Sequence, residues 1–303
     1  MRGSRLAPSG GSTLTDPDRH VTFASPHAIR RRLSASLALL AALGLGACKG
    51  NADGRTAAAA GVAGAQAPAG QDAAAPVVIA VPAGRYTAGA TGATGTIAGV
   101  ASSTSPLAPL PALPVGADSA VCGSSIADSS ALQAGTGLGN VVVWLEGVRK
   151  GKPVTLDKRI EIESDHCRLV PRVQGAYTGG AVNVVGHETF RQHLRFVAGG
   201  EKEPRATILL GKDEQVIPTE LPLKSPGLVV VRDQDHAWPR AFVAVFDHPY
   251  FAVTKPDGSF VIDQVPVGAY TLVSWHERAG RTEQKVTVAA GGAAKVEVKL
   301  SGK

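Results

Sequence analysis

Two histidines and two aspartates in the second half of the chain have the side-chain chemistry of a metal site. Imidazole nitrogens and carboxylate oxygens are ligands that zinc and non-thiolate copper sites use. The four residues are His193, Asp233, Asp235 and His236. They predict either a mononuclear zinc or copper site or a former site that binds no metal.

The sulfur-containing residues argue against a blue copper centre, which needs a thiolate beside two imidazoles. Cys122 and Cys167 both lie upstream of His193, and the only histidine next to either of them is His166. The single methionine is Met1, so no thioether follows it in the chain. Blue copper electron transfer is therefore not expected.

A second set of polar and aromatic residues lies near the C-terminus, namely His248, Tyr250, Trp275, His276 and Glu277. Aromatic rings with polar groups beside them can form a partner-binding surface or a platform on which sugar rings stack. Alternatively, the aromatic rings belong to a core and the two histidines satisfy buried backbone groups. The sequence leaves both interpretations open.

Motifs and charge exclude several classes of function. The chain contains no Gly-x-Ser-x-Gly, no His-Glu-x-x-His and no phosphate-binding glycine loop, so we predict no catalytic residues and no enzymatic activity. The net charge is 31 − 25 = +6, but residues 1–47 hold six Arg against two Asp, which leaves only +2 from Cys48 onward. We therefore expect no nucleic-acid partner.

The first 47 residues predict an export signal. Three arginines, 30–32, precede an uncharged apolar stretch that is too short to span a bilayer. The stretch ends in Leu45-Gly46-Ala47-Cys48, which resembles the bacterial lipobox. The resemblance implies that Cys48 carries a lipid and anchors the protein to a membrane, facing the periplasm. Lys49 and Gly50 follow Cys48 without an acidic residue of the kind that holds some lipoproteins at an inner membrane, so the outer membrane is preferred. The alternative is an ordinary cleaved signal.

Residues 48–94 predict a flexible tether, because Ala, Gly and Pro dominate and too little apolar surface is available to offset the entropy of ordering. With Cys48 lipidated, Cys122 and Cys167 form an even pair in an oxidising compartment, where a disulfide is the default. Two buried thiols are the alternative. The disulfide would close a loop of about 45 residues and stabilise the fold by roughly 3 to 4 kcal/mol.

From Gly95 onward, short strand-like runs recur every 8 to 15 residues between Gly, Pro and charged turns, a spacing typical of an all-β sandwich or barrel. Between two of the runs, Lys255-Pro256-Asp257-Gly258 predicts a tight hairpin turn. The predicted strands are 140–145, 159–163, 181–185, 193–197, 206–210, 228–231, 241–246, 259–262, 269–274, 283–288 and 294–300.

Several short segments carry a resemblance to a known family. They are Val121-Cys122-Gly123, 140–145, 167–173, Asp235-His236-Ala237-Trp238, 248–254, 257–260 and Trp275-His276-Glu277. With them, the region after about Gly95 resembles a bacterial exported family that joins a cupredoxin-like domain to a small carboxypeptidase-regulatory-like, prealbumin-like β-sandwich. The resemblance implies a Greek-key cupredoxin-like sandwich followed by the smaller sandwich.

The resemblance also implies a degenerate copper site. Copper-binding relatives use a His near the middle of the domain, then a Cys, a second His and a Met. Here His193 and His236 match the two His positions, whereas Asp233 stands in place of the Cys and Pro239 in place of the Met.

The same resemblance implies domains at 95–240 and 241–303. Alternatively, the segment 95–100 is the first strand of the second domain and the cupredoxin-like part is inserted after it. In that case the two domains share a continuous interface and should unfold together.

Taken together, the sequence predicts a non-catalytic cell-envelope lipoprotein that acts as a binding or scaffold module, without a resident cofactor. Its expected partners are the membrane, through the lipid anchor, and an envelope protein or glycan. One alternative is a periplasmic copper- or zinc-binding or weak redox protein that uses His193 and His236. The other is carbohydrate binding by the C-terminal module.

Overall fold

The computed structural model describes residues 86–212 and 215–301. The expected signal peptide, lipidation at Cys48 and tether up to residue 85 lie outside the described residues. Within those two ranges, none of the helices has the length and apolar character needed to cross a membrane.

The described chain is almost entirely β-structure, which confirms the predicted fold class. Its first half contains the strands β1 Thr87–Ala88, β2 Thr94–Ser103, β3 Leu113–Pro114, β4 Ser125–Ile126, β5 Gln133–Ala134, β6 Gly137–Leu138, β7 Val142–Glu146, β8 Lys150–Gly151, β9 Ile160–Asp165, β10 Arg168–Val170 and β11 Val173–Tyr177. The second half contains β12 Val182–Gly186, β13 Gln192–Ala198, β14 Ala206–Leu210, β15 Gln215–Thr219, β16 Gly227–Asp233, β17 Arg240–Phe246, β18 Phe251–Val253, β19 Ser259–Pro266, β20 Gly268–His276, β21 Gly280–Val288 and β22 Ala293–Leu300. The described helices are α1 Ser119–Cys122 and the 3-10 helices Gly116–Asp118 and Leu221–Leu223.

Four larger sheets form two sandwiches. Sheet I has the strand order β10-β9-β12-β15, and sheet II has the order β11-β17-β16-β13-β14. Sheet III has the order β18-β7-β20-β21, and sheet IV contains β19-β2-β6-β5 with β22 beside β2. Sheets I and II enclose one apolar core, and sheets III and IV enclose another. We call the first pair the inserted sandwich and the second pair the flanking sandwich.

The inserted sandwich interrupts the flanking one between two neighbouring strands. In sheet III, β18 pairs antiparallel with β7, so that Phe251 lies opposite Trp144. All strands of sheets I and II lie between these two in the chain. In sheet IV, β2 pairs with β19 on one side and with β22 on the other. The structure therefore differs from a boundary at 240/241, because residues 94–103 and 142–146 belong to the same sandwich as the C-terminal strands.

A third apolar cluster joins sheet II to sheet III. It contains Val142, Trp144, Val173, Leu228, Phe242, Ala244, Phe246, Val273 and Trp275. The apolar run in β17 has one set of residues in this cluster and the alternate set in the core of the inserted sandwich. A strand buried on both faces needs such a continuous apolar run. The two sandwiches are therefore packed face to face through an apolar interface.

The predicted turn at 255–258 is present, but its flanking strands do not form a hairpin. The N–H of Gly258 donates to the carbonyl of Lys255 at 2.8 Å, and Asp257 accepts from the N–H of Ser259 at 3.0 Å. Gly258 has φ +80°, which suits glycine. However, β18 belongs to sheet III and β19 to sheet IV, so the turn carries the chain from one layer to the other.

The last residues of the expected tether belong to the folded part. The strand β1 pairs with β8, and the Tyr86 hydroxyl donates to the carbonyl of Lys152 at 2.6 Å. Tyr86 also packs against the core of the flanking sandwich. The prediction of a tether up to residue 94 therefore differs from the structure at residues 86–93, because the pairing of β1 with β8 and the Tyr86 side chain hold this segment against the fold.

Candidate functional site

The candidate site lies at one end of the inserted sandwich, where β16 ends at Asp233. The side chain of Asp233 is buried and organises the neighbouring backbone. Its Oδ1 atom accepts hydrogen bonds from the N–H of His193 at 2.9 Å and from the N–H of Asp235 at 3.1 Å. Asp233 therefore holds the start of β13 against the end of β16.

The His236 ring lies between two carboxylates. Its Nδ1 atom is 2.5 Å from Oδ2 of Asp233, and its Nε2 atom is 2.9 Å from Oδ2 of Asp118. A carboxylate only accepts hydrogen bonds, so both contacts are hydrogen bonds when both ring nitrogens carry hydrogen, that is, when the ring is an imidazolium. Burial lowers the pKa of His236, but the hydrogen bonds and charges of Asp233 and Asp118 outweigh burial and raise the pKa above its ordinary value.

Two aromatic rings flank the imidazolium. The Phe190 ring centroid lies 5.0 Å and the Trp238 centroid 4.7 Å from the centroid of His236. With Val115 and Cys167, these two aromatic residues form a small apolar cluster. The charged triad Asp233–His236–Asp118 is thus partly shielded from water, which strengthens its internal electrostatic interactions.

Asp118 comes from a segment that covers this end of the sandwich. We call residues 104–132, between β2 and β5, the strap. Its short strands β3 and β4 pair with each other, so that Leu113 lies opposite Ile126, and its helical turn ends at Gly123, which has φ +76°. Because the strap leaves from sheet IV and returns to it, it carries Asp118 from the flanking sandwich to the inserted one.

A disulfide fastens the strap to the inserted sandwich. Cys122 of the strap is bonded to Cys167, with Cα atoms 5.8 Å apart, so the predicted disulfide is confirmed. Cys167 lies between β9 and β10, and its N–H donates to the buried carboxylate of Glu188 at 2.5 Å. Burial raises the pKa of Glu188. Nearby, the Arg168 guanidinium donates to the strap carbonyl of Ala127 at 3.2 Å.

The arrangement of donor atoms does not fit a copper ion of the cupredoxin kind. Both nitrogens of His236 are used by carboxylates on opposite sides of the ring, and His193 is half-exposed with its Nδ1 atom bound to Asp235. Both cysteines are in the disulfide. In residues 86–212 and 215–301, no group of three or more His, Cys, Asp or Glu side chains is placed to hold a metal ion. The structure thus brings His193, Asp233, Asp235 and His236 to one end of the sandwich without converging their donor atoms.

The second predicted set does not form an exposed surface. All but Glu277 are buried, because they lie inside the sandwiches or between them. The exposed fractions are 5% for His248, 0% for Tyr250, 3% for Trp275 and 0% for His276. A buried ring cannot stack on a sugar, so the interpretation of Tyr250 and Trp275 as a platform does not hold.

The two buried histidines accept hydrogen bonds from the backbone. The Nδ1 atom of His248 accepts from the N–H of Tyr250 at 3.2 Å, and the Nδ1 atom of His276 accepts from the N–H groups of Arg278 at 3.2 Å and Ala279 at 3.1 Å. Burial, together with the charges of Arg278 and Arg172, lowers the pKa of His276 to about 4. The ring is therefore neutral near pH 7.

Glu277, the fifth member of that set, binds Arg172 across the two sandwiches. The guanidinium donates from Nε to Oε1 at 2.6 Å and from Nη2 to Oε2 at 2.7 Å, and Nη1 donates to the Ser129 hydroxyl of the strap at 3.1 Å. Next to it, Arg278 donates to Asp128 at 3.2 Å. Two arginines, one from each sandwich, therefore hold the returning part of the strap.

Asp118 and Arg172 were not predicted as site residues. Asp118 lies 118 positions before His236, in a segment without a strong strand pattern. The one feature of the sequence that points to Asp118 is the nearby Cys122. A predicted disulfide at Cys122 implies that the surrounding segment is held against the fold.

The chain shows only limited similarity to known proteins. No protein-family model matches the chain, and no curated protein matches it. Among solved structures, it is similar to the Cu-containing nitrite reductase (NirK) from Thermus scotoductus SA-01, with a TM-score of 0.26 and 17% identity over 34% of this chain and 24% of the reductase. It is also similar to amicyanin from Paracoccus versutus, with a TM-score of 0.25 and 17% identity over 31% of this chain and 85% of amicyanin. The chain thus spans about a quarter of the reductase.

Proposed function

We propose that this protein is a non-catalytic binding or scaffold module of the bacterial cell envelope, exported and anchored through a lipid on Cys48. We propose in particular that the site holds no metal ion. This part of the proposal rests on the position of His236 between Asp233 and Asp118. The imidazolium supplies a positive charge between two carboxylates, so the cation in this site belongs to the protein itself. A bound metal would have to displace that proton and the strap carboxylate.

The packing of the two sandwiches supports a scaffold role. The apolar cluster between sheets II and III and the bidentate Arg172–Glu277 pair oppose relative motion of the two sandwiches. Domains joined by a large apolar interface are held in a fixed orientation. A rigid body whose His236 end is closed by a disulfide suits a module that presents a surface to a partner.

Metal content tests the proposal. The full-length chain is incubated with copper and zinc, desalted and measured by plasma mass spectrometry, next to His236→Ala and the control His166→Ala, whose side chain is 90% exposed. We expect far less than one equivalent of metal in all three proteins. One equivalent in the wild type and the control, lost in His236→Ala, would contradict the proposal and favour a metal-binding protein that uses His193 and His236.

The lipid anchor has its own test. Bacteria that express the full chain are labelled with radioactive palmitate, and membrane fractions are compared for wild type and Cys48→Ser. We expect label and membrane association in the wild type and neither in the variant. A labelled Cys48→Ser protein would contradict anchoring at this residue.

A further inference from the structure

The segment that connects the flanking sandwich to the inserted one concentrates positive charge. We call residues 149–159, which run from β8 to the start of β9, the basic loop. Its basic residues are Arg149, Lys150, Lys152, Lys158 and Arg159, and its one acidic residue is Asp157, which gives 5 − 1 = +4. From Cys48 onward the chain carries only +2, so the rest of that part has a net charge of 2 − 4 = −2.

The tip of the basic loop is uncharged and exposes a leucine. The tip consists of residues 153–156, with the sequence Pro-Val-Thr-Leu. Leu156 is 102% exposed, the highest value among the exposed large hydrophobic residues of the described chain. A single exposed leucine is common on protein surfaces. This one differs because Lys152 directly precedes the tip and Lys158 and Arg159 closely follow it.

Contacts at both ends of the basic loop hold it against the fold. At its start, the N–H of Lys152 donates to the Tyr250 hydroxyl at 2.8 Å, and the carbonyl of Lys152 accepts from the Tyr86 hydroxyl at 2.6 Å. Near its end, the Lys158 ammonium donates to the carbonyl of Thr178 at 3.2 Å. The tip between these fixed points therefore projects into solvent.

Acidic residues of the protein compensate only part of this charge. The Lys152 ammonium is paired with Asp263, and Arg159 is 3.4 Å from Asp157. Glu220 lines an open cleft together with Leu156, Lys158 and Arg159. With all three acids counted, 5 − 3 = +2 remains.

The uncompensated charge lies at the start of the basic loop. Arg149 and Lys150 are both exposed, and neither is in an ion pair within residues 86–212 and 215–301. Arg149 is one position before β8, and Lys150 is its first residue. Two adjacent cations are therefore open to an anionic partner.

The expected tether enters the fold beside the basic loop. The strand β1 pairs with β8, so that Thr87 lies opposite Lys150. Residues 48–85, which precede the described chain, number 38. A flexible tether of that length, as the sequence predicts, has a mean span of about 35 Å. A lipid on Cys48 would thus keep the basic loop near a bilayer and raise its effective concentration at the surface.

We propose that the basic loop docks on an anionic phospholipid surface, with Leu156 entering the boundary of the acyl chains and Arg149, Lys150 and Lys158 facing lipid phosphates. A bilayer offers both halves of this chemistry, because a layer of phosphates covers an apolar interior. A soluble polyanion offers charge without the apolar layer. The inference rests on the lipid anchor proposed above, and it names the side of the module that faces the membrane.

Vesicle binding of the full-length Cys48→Ser chain tests the proposal without help from a lipid. Partition is measured by sedimentation with phosphatidylcholine vesicles that contain or lack phosphatidylglycerol. The apolar stretch and the arginines before Cys48 are common to all variants, so each variant is compared with this parent. We expect partition onto anionic vesicles to fall about twentyfold in Arg149→Gln with Lys150→Gln, since each basic residue near such a surface contributes roughly fivefold. Leu156→Ser should cost about tenfold.

Lys285→Gln with Lys299→Gln is the matched control, since it also removes two positive charges from exposed positions, on β21 and β22. We expect its partition to equal that of the parent. Three results would overturn the proposal: no loss in either loop variant, an equal loss in the control, or binding to soluble polyphosphate that matches binding to the anionic vesicles. The thermal transition of each variant checks its folding.

A tryptophan at the tip gives a second measurement. The native Trp144, Trp238 and Trp275 are buried, so quenching by brominated phospholipids in Leu156→Trp reports on the tip. We expect strong quenching on anionic vesicles in Leu156→Trp and none in Leu209→Trp, whose position is exposed on β14 of the inserted sandwich. Equal quenching in the two proteins, or none in Leu156→Trp, would contradict insertion of the tip.

The two proposals fail separately. The vesicle assay uses a chain without Cys48, so its result does not depend on lipidation. Palmitate labelling of the wild type measures lipidation alone, and it is unaffected by substitutions in the basic loop.

Discussion

His236 donates a hydrogen bond to Asp118 across 2.9 Å, although the two residues lie 118 positions apart in the chain. The opposite nitrogen of the same ring donates to Asp233 at 2.5 Å. One imidazolium therefore holds the strap, which belongs to the flanking sandwich, against the end of the inserted sandwich. The disulfide between Cys122 and Cys167 fixes the same contact covalently.

Replacing Asp118 should weaken the closed end without unfolding the protein. Asp118→Asn leaves the His236 charge with one carboxylate instead of two, and we expect the free energy of unfolding to fall by about 1 to 3 kcal/mol. Urea denaturation measures the change, with Asp157→Asn, an exposed carboxylate of the loop before β9, as the control. An unchanged midpoint in Asp118→Asn would contradict the role given to this contact.

The raised pKa of His236 predicts that the protein loses stability at alkaline pH. The pKa of His236 is raised in the folded protein, so its protonation stabilises the fold fully below the unfolded value of about 6.5, and this contribution is lost as the pH rises through the folded-state pKa. Urea unfolding between pH 5.5 and 9 should show a steeper alkaline decrease in the wild type than in His236→Asn. Parallel pH profiles of the two proteins would show that the ring does not titrate in this way.

Each of the eleven predicted strands overlaps a strand of the structure, because each run combines β-branched or aromatic residues with a clear turn on either side, whereas β10, β11, β15 and β18 were not predicted. The runs 142–145 and 241–246 are apolar at every position, and in the structure each is buried on both faces. Such a run predicts that apolar residues cover the strand on both faces. It does not tell which sheets supply those residues. The contact between Trp144 and Phe246, with ring centroids 5.9 Å apart, was therefore beyond sequence reasoning.

The candidate site was predicted only in part, for a related reason. The structure places His193, Asp233, Asp235 and His236 at one end of the sandwich, where β13 begins and β16 ends. The chemistry at that end depends on Asp118, which reaches it through a long, mostly irregular strap. Pattern analysis predicts periodic elements, and it carries no information about where such a segment lies.

Removing the disulfide should loosen the strap and destabilise the fold. Cys122→Ser with Cys167→Ser opens a loop with a sequence separation of 45, for which the chain-entropy relation gives about 3 to 4 kcal/mol. We expect that decrease in denaturant unfolding, together with faster hydrogen exchange in residues 113–126 than elsewhere in the double variant. Exchange that increases equally in all strands would argue against a strap held mainly at this point.

His276 predicts a loss of stability on the acid side. Its pKa is lowered to about 4 in the folded protein, so its neutral form stabilises the fold above the unfolded value of about 6.5, and this contribution is lost as the pH falls through 4. The two values correspond to roughly 3 kcal/mol. His276→Asn keeps an acceptor for the two backbone N–H groups but does not titrate, so its acid decrease should be shallower by about that amount. Identical acid profiles would contradict the prediction.

The two sandwiches should unfold as one unit, because the cluster between sheets II and III is shared by both. A matched pair of core variants tests this expectation: Ile162→Val removes one methylene from the inserted sandwich, and Ile262→Val removes one from the flanking sandwich. Each change should cost about 0.5 to 1.5 kcal/mol. For a body of this size that lowers a common melting temperature by roughly 2 to 4 °C per kcal/mol.

Calorimetry should show a single transition in the wild type and in both variants, with the calorimetric and van't Hoff enthalpies equal. If Ile162→Val lowered one transition and left a second at its wild-type temperature, the sandwiches would be thermodynamically independent and the apolar interface would not couple them.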